Sequence, residues 1–243
     1  MIYEKCFFIP ARSGSKGLIN KNISMLNNKM LFEWSFLAAN SSLGENDCII
    51  ISTNCNIIKN WFYNYCNKFK NVYLRDRPID LCGDKSSTES ALIDSLQYMK
   101  LNDNNIENFI LLQPTSPFRL DDIINKCLNY FYDSGKKRSV FTGSKHTPFF
   151  WKNYDGFFSP IYEIGDRKMR QDITNKDFYY HEDGNLYVFS ADNLLYKNNR
   201  LTDECLVVEN SFINSIQIDS IDDFNMCVNM AKEERVLSWM NSL

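Results

Sequence analysis

Two hydrophobic periods alternate along this chain. Short uninterrupted apolar runs at 6–10, 48–52, 72–74 and 109–112 predict strands buried on both faces. Between them, residues 31–42 carry an apolar stripe of Leu31, Trp34, Ser35 and Ala38, and residues 56–69 carry large aromatics at helical spacing. A helix follows over 89–101, capped by Ser87 or Thr88. Another starts at Asp121, with Ile123, Ile124, Cys127, Leu128 and Phe131 on one side. Further strands are predicted at 139–142 and 187–189, a short helix at 191–197, a strand-like stretch at 212–219 and a closing helix at 221–239. Alternating strands and helices predict a mostly parallel sheet sandwiched by helices, a Rossmann-like α/β fold.

The pattern breaks near Gly143. Residues 143–180 hold Phe149, Phe150, Trp151, Tyr154, Phe157, Phe158 and Tyr162 with no sustained period. Aromatics at this density need a covering surface, so the stretch reads as an insertion, either a β excursion or a dimer arm, within one domain spanning 1–243.

Composition narrows the function class. A chain of 243 residues, 44% hydrophobic, supports one sizeable core. A net charge of -3 does not suit a broad nucleic-acid-binding surface. The sequence contains no apolar run of about 18 residues, and no membrane partner is expected. Eight scattered cysteines without a C-x-x-C pair, and a start without a signal-peptide pattern, point to thiols in a reducing cytoplasm.

The chemistry gathers at predicted strand ends, where α/β sheets bind ligands. The first strand empties into a loop holding Arg12, Ser13, Gly14, Ser15, Lys16, Gly17, Lys21 and Asn22. Glycines let backbone N–H groups approach an anion, and the cations add charge-assisted hydrogen bonds. The loop is neither a Walker motif nor a dinucleotide fingerprint. Asn22 either reads a base or ribose edge or caps the next turn. Gln113, between Leu112 and Pro114, has an amide that donates and accepts. Thr115 and Ser116 are ligand donors or turn stabilisers, and Arg119 binds an anion or holds the loop. Asp219 stands where the last strand-like stretch meets the closing helix, a position for an Mg²⁺-binding carboxylate. His146 and His181 remain unassigned.

These segments resemble the CMP-sugar synthetases, the acylneuraminate cytidylyltransferase family. The resemblance runs through FIPARSGSKGLINKN at 8–22, LLQPTSPFR at 111–119, RQD at 170–172, GNLY at 184–187 and IDS at 218–220, in family order. It implies a nucleotidyltransferase-type fold and transfer of CMP from CTP to a small acidic acceptor, releasing pyrophosphate. The default acceptor is a nonulosonic, sialic-acid-like sugar activated for surface glycan or capsule assembly. A small phosphorylated metabolite such as phosphoglutamine and a non-catalytic nucleotide-binding protein are the alternatives.

The resemblance also implies roles. Arg12, Lys21 and Asp219 are the catalytic candidates. Ser13, Gly14, Ser15, Lys16, Asn22, Arg75 (with Arg77 as competitor), Ser86 and Ser87 are the nucleotide-binding ones. Gln113, Thr115, Arg170, Tyr187 and Gln217 face the acceptor, with a surface arginine as the alternative for Arg170 and core packing as the alternative for Tyr187. The insertion reaches a neighbouring subunit, implying a homodimer. Three departures stand out: Gln217 where relatives commonly carry an Asp two residues before Asp219, Asn54 in place of an Asp, and Asp183-Gly184-Asn185 for Asn-Gly-Ala.

Overall fold

The computed structural model describes residues 1–14, 17–66 and 68–243. In chain order the elements are β1 (Ile2–Pro10), β2 (Met25–Leu26), β3 (Lys29–Met30), α1 (Leu31–Ser41), β4 (Asp47–Thr53), α2 (Asn56–Tyr65), β5 (Val72–Asp76), α3 (Thr88–Leu101), β6 (Asn105–Leu112) and α4 (Ile123–Asp133). There follow β7 (Val140–His146), β8 (Trp151–Tyr154), β9 (Phe157–Pro160), β10 (Tyr179–Ser190), α5 (Ala191–Lys197), β11 (Leu206–Glu209), α6 (Ile221–Met230) and α7 (Glu234–Ser242).

A seven-stranded sheet has the order β11-β7-β10-β6-β1-β4-β5. β10 runs antiparallel to β6 and β7, and the other neighbouring pairs are parallel. Every residue of β4 is buried, as its unbroken apolar run requires. Alternation along β1 divides the core. Phe7 and Ile9 pack with Phe32, Phe36, Ile58 and Phe131 on the α1, α2 and α4 side. Cys6 and Phe8 pack with Leu92, Met99 and Leu194 on the α3 and α5 side. A third cluster joins Trp34, Phe118, Ile218, Val236 and Met240, seating α6 and α7 beside the carboxyl ends of the strands. All eight cysteines are free thiols.

Two expected elements differ, and one strand is unexpected. The strand-like stretch over 212–219 forms no strand; a main-chain bond from the Ile218 amide to the Thr115 carbonyl at 2.8 Å ties it to the loop after β6. The Asn214 side chain takes over sheet-like pairing instead, accepting from the Leu120 amide and donating to the Leu120 carbonyl. The closing helix is broken at 231–233, where Glu233 takes an extended conformation and starts α7 anew. That break turns Val236 and Met240 under Trp34. β11, an edge strand, was not predicted.

The aromatic stretch leaves the sheet between β7 and β10, whose pairing extends to His146 and Tyr179. Its centre is the β8–β9 hairpin, closed by Asp155-Gly156, both at positive φ as a tight hairpin turn requires. Phe157 is 80% exposed and Phe158 62%.

Candidate active site

A cavity of about 420 Å³ opens at the carboxyl ends of β1 and β6, lined by Pro10, Arg12, Gly17, Lys21, Asn22, Arg77, Ser86, Ser87, Thr88, Gln113, Pro114, Thr115 and Asp219. Four separate chain segments meet there, and hydrogen bonds fix each one.

The first segment is the loop after β1. Thr53 Oγ1 donates to the Ala11 carbonyl at 2.6 Å, and the Ser13 amide donates to Asn54 Oδ1 at 2.8 Å. Asn22 Nδ2 donates to the Arg12 carbonyl at 2.8 Å, so its amide closes the loop from within. Arg12 reaches across to the 77–87 segment, donating to the Cys82 carbonyl at 2.9 Å and to Asp84 at 3.2 Å. Lys21 is 8% exposed; its ammonium donates to the Ile218 carbonyl at 2.6 Å and to Asp219 Oδ1 at 3.0 Å.

On the second segment, Arg77 is buried beside the same cavity. Its guanidinium donates to Ser52 Oγ and to the Ser52 carbonyl, each at 3.0 Å. Burial pushes it down to about 10, and neighbouring Arg12 adds to that, so it remains a cation near neutral pH. The N-terminus of α3 completes this wall. Ser87 Oγ accepts from the Ser90 amide at 3.1 Å, and Ser86, Ser87 and Thr88 face the cavity. A 14-residue helix presents free N–H groups and partial positive charge at this end, which favours an anion.

Opposite, Gln113 and Thr115 line the cavity just past β6, and the Ile218–Thr115 bond ties Asp219 to them. A Cβ on Gly17 would come within 2.1 Å of the Asp219 carbonyl oxygen, so the loop after β1 lies directly on the Asp219 main chain. Asp223 Oδ2 accepts from the Asp219 and Ser220 amides and from Ser220 Oγ, and these bonds hold its carboxyl below the usual range. The Asp219 main chain is thus pinned at the start of α6 while its carboxylate, 70% exposed, faces Lys21.

This arrangement of three cations, a helix N-terminus and one carboxylate has relatives. The family model described as cytidylyltransferase matches residues 6–149. The chain belongs to the cytidylyltransferase family. Among curated relatives, an N-acylneuraminate cytidylyltransferase of Streptococcus agalactiae is 28% identical over 221 residues, covering 89% of this chain and 50% of that protein. The chain therefore spans about half the length of that relative. A CMP-N,N'-diacetyllegionaminic acid synthase of Legionella pneumophila is also 28% identical, covering 89% of this chain and 91% of that one. In fold, the chain is similar to a CMP:2-keto-3-deoxy-manno-octonic acid synthetase solved with CTP. The TM-score is 0.67 at 14% identity, over 95% and 99% of the two chains. A 4-diphosphocytidyl-2C-methyl-D-erythritol synthase of Anaerococcus prevotii gives 0.62 at 16%, over 95% and 97%.

The cleft brings together Arg12, Lys21, Asn22, Ser86, Ser87, Gln113, Thr115 and Asp219 from the expected set. Ser13 and Gly14 belong to the same loop, Gly14 with φ +79, while Ser15 and Lys16 lie outside the described residues.

Arg75 is not brought in. It forks onto Asp94 at 2.8 and 2.7 Å and stacks on Tyr98, and the Asp94 bonds raise its pKa. Arg77 lines the cleft instead. Tyr187 is also elsewhere: it is 3% exposed in the core, its hydroxyl donates to Glu182 at 3.0 Å, and Arg200 stacks on its ring. Arg170 lies in the aromatic excursion, beside a second cavity with Phe149, Arg167, Lys168 and Phe178. Gln217 does not line the cleft; its amide rests on Gly184, where a Cβ would come within 2.8 Å of Nε2.

No group of three or more His, Cys, Asp or Glu side chains suited to a metal occurs among the described residues. One exposed carboxylate suits a magnesium ion that takes its other oxygens from phosphates and water. Among the described residues, no helix is long and apolar enough to cross a membrane.

Proposed function

We propose that the cleft transfers CMP from CTP to a nonulosonic, sialic-acid-like sugar and releases pyrophosphate. The observation that carries this reading is the convergence of Arg12, Lys21, Arg77 and the N-terminus of α3 on one cavity whose opposite wall is Gln113 and Thr115. The names of the curated relatives, which act on N-acylneuraminate and N,N'-diacetyllegionaminic acid, support the acceptor class.

In this reading Arg12, Lys21 and the α3 amides hold the triphosphate, and Arg77 approaches the nucleotide from the buried side. An acceptor oxygen attacks the α-phosphorus; the bond to the β-phosphate oxygen breaks as the new P–O bond forms, and pyrophosphate leaves with that electron pair. Cations already in place stabilise the growing charge without reorganising solvent. Lys21 exchanges Asp219 for phosphate, which frees the carboxylate for Mg²⁺. The ion supplies Lewis-acid neutralisation when bound. Gln113 and Thr115 orient the acceptor by hydrogen bonds.

The exposed Phe157 and Phe158 hairpin suits burial against a second copy of the chain, which would carry Arg170 toward a neighbouring cleft. The test is CTP with Mg²⁺ and a panel of N-acetylneuraminate, N,N'-diacetyllegionaminate and 3-deoxy-manno-octulosonate, read by product mass. A CMP-sugar is expected; no adduct with any acid sugar would refute the acceptor class.

A further inference from the structure

Arg119 follows the Gln113–Phe118 loop, yet it does not line the cleft. It is 3% exposed. Its Nη2 donates to the Gln113 carbonyl at 2.9 Å and to the Asn185 carbonyl at 3.2 Å. Nε and Nη1 have no protein partner among the described residues. Burial pushes the guanidinium down to about 9, and the charge of Asp183 works against that. Asp183 itself is bonded elsewhere, to Thr142 Oγ1, the Asn185 amide and Asn210 Nδ2. A buried cation spending its hydrogen bonds on two main-chain carbonyls is costly to hold. Such a cost fits a group whose task is placement.

The two carbonyls belong to the two sides of one wall. Gln113 directly follows β6 and lines the cleft. Asn185 lies in the bulge of β10, where the pairing with β7 shifts register between Glu182 and Tyr187. Gly184 in that bulge has φ +70 and carries the Gln217 amide against it. The other face of the bulge is held by Asn185 Nδ2, which donates to the Phe118 and Asn214 carbonyls at 2.7 and 2.6 Å. Two of the three departures from the family pattern, Asp183-Gly184-Asn185 and Gln217, therefore meet at one bulge.

We propose that Arg119 is the positioning residue of the acceptor wall, fixing the separation between Gln113 in the cleft and the Gly184 bulge that seats Gln217. This rests on the acceptor-side reading of Gln113. The two N–H bonds of the one nitrogen Nη2 span the two carbonyls, aimed by the rigid planar guanidinium; a lysine ammonium keeps the charge but loses that fixed head and its reach.

The experiment is Arg119→Lys, with steady-state kinetics for each substrate and hydrogen exchange on the free protein. The acceptor KM should rise about tenfold while the CTP KM stays within about twofold. Amides at 113–116 and 184–186 should lose protection together, with those inside β6 unchanged. Unchanged acceptor KM, or an equal loss for both substrates, overturns the proposal. If Arg119→Lys does not fold, Asp183→Asn keeps the volume and removes the facing charge, and Asn210 can turn its amide to suit. It should raise the acceptor KM about threefold with CTP unaffected; no change overturns the proposal equally. If the parent makes no CMP adduct, the proposed reaction fails, and exchange alone then judges the clamp: unaltered protection at 113–116 and 184–186 refutes it.

Discussion

Lys21 and Asp219 neutralise one another across 3.0 Å, and Arg12 pairs with Asp84 at 3.2 Å, so under the proposed function a triphosphate competes with two carboxylates for these cations. Lys21→Ala should therefore weaken Mg·CTP binding and leave Asp219 without its partner, and Asp219→Ala should flatten the magnesium dependence; a titration of rate against Mg²⁺ reads both. Arg75 and Arg77 give a sharper comparison, because they are two residues apart and do different work. Arg77→Ala should raise the CTP KM about tenfold or more, by loss of a charge-assisted contact. Arg75→Ala should leave the CTP KM alone and cost about 1–3 kcal/mol in denaturant unfolding, since the mostly buried Asp94 loses its fork. At this scale the placing of Arg12, Lys21, Gln113 and Asp219 around one cleft could be read from residue type and position after a strand. The Arg75–Arg77 choice could not. It depends on α3 supplying Asp94 and Tyr98 to Arg75, a contact with no local sequence cue. Tyr187 escaped for a similar reason: its hydroxyl is satisfied by Glu182 inside the core.

The loop after β1 and the start of α6 act as one unit, because Gly17 touches the Asp219 carbonyl. Gly17→Ala must push these apart, and CTP affinity should fall by more than the melting temperature does, checked by calorimetric titration beside a thermal scan. Ser220→Ala removes one half of the reciprocal cap on α6 and should cost about 1 kcal/mol. Asp223 sets the pH sign of the other half. Its carboxyl is held below the usual range in the folded protein, so its stabilisation is fully present above the unfolded value. It is lost as pH falls through the lowered native one. An Asp223→Asn variant should therefore show a shallower acid destabilisation than the parent. Strands buried on both faces declared themselves as unbroken apolar runs. The 212–219 stretch misled because Ile216 and Ile218 alternate as in a strand, while the hydrogen bonding goes through the Asn214 side chain. The α6–α7 break carries neither Gly nor Pro and follows from tertiary packing of Val236 and Met240.

Over the whole molecule, a chain of net charge -3 gathers Arg12, Lys21 and Arg77 at one cleft, and its aromatic excursion exposes Phe157 and Phe158. The Phe157→Ser, Phe158→Ser double variant should shift the protein toward monomer in sedimentation analysis, with melting temperature unchanged because neither ring is in the core. The central claim is that the cleft activates CTP in particular. Pyrophosphate release with N-acetylneuraminate or N,N'-diacetyllegionaminate, measured side by side for CTP, UTP, ATP and GTP, tests it most directly. The account predicts turnover with CTP that exceeds the other three by at least about a hundredfold in kcat/KM, a transition-state preference of roughly 2.7 kcal/mol. Equal turnover of all four nucleotides, or none with CTP, would contradict it.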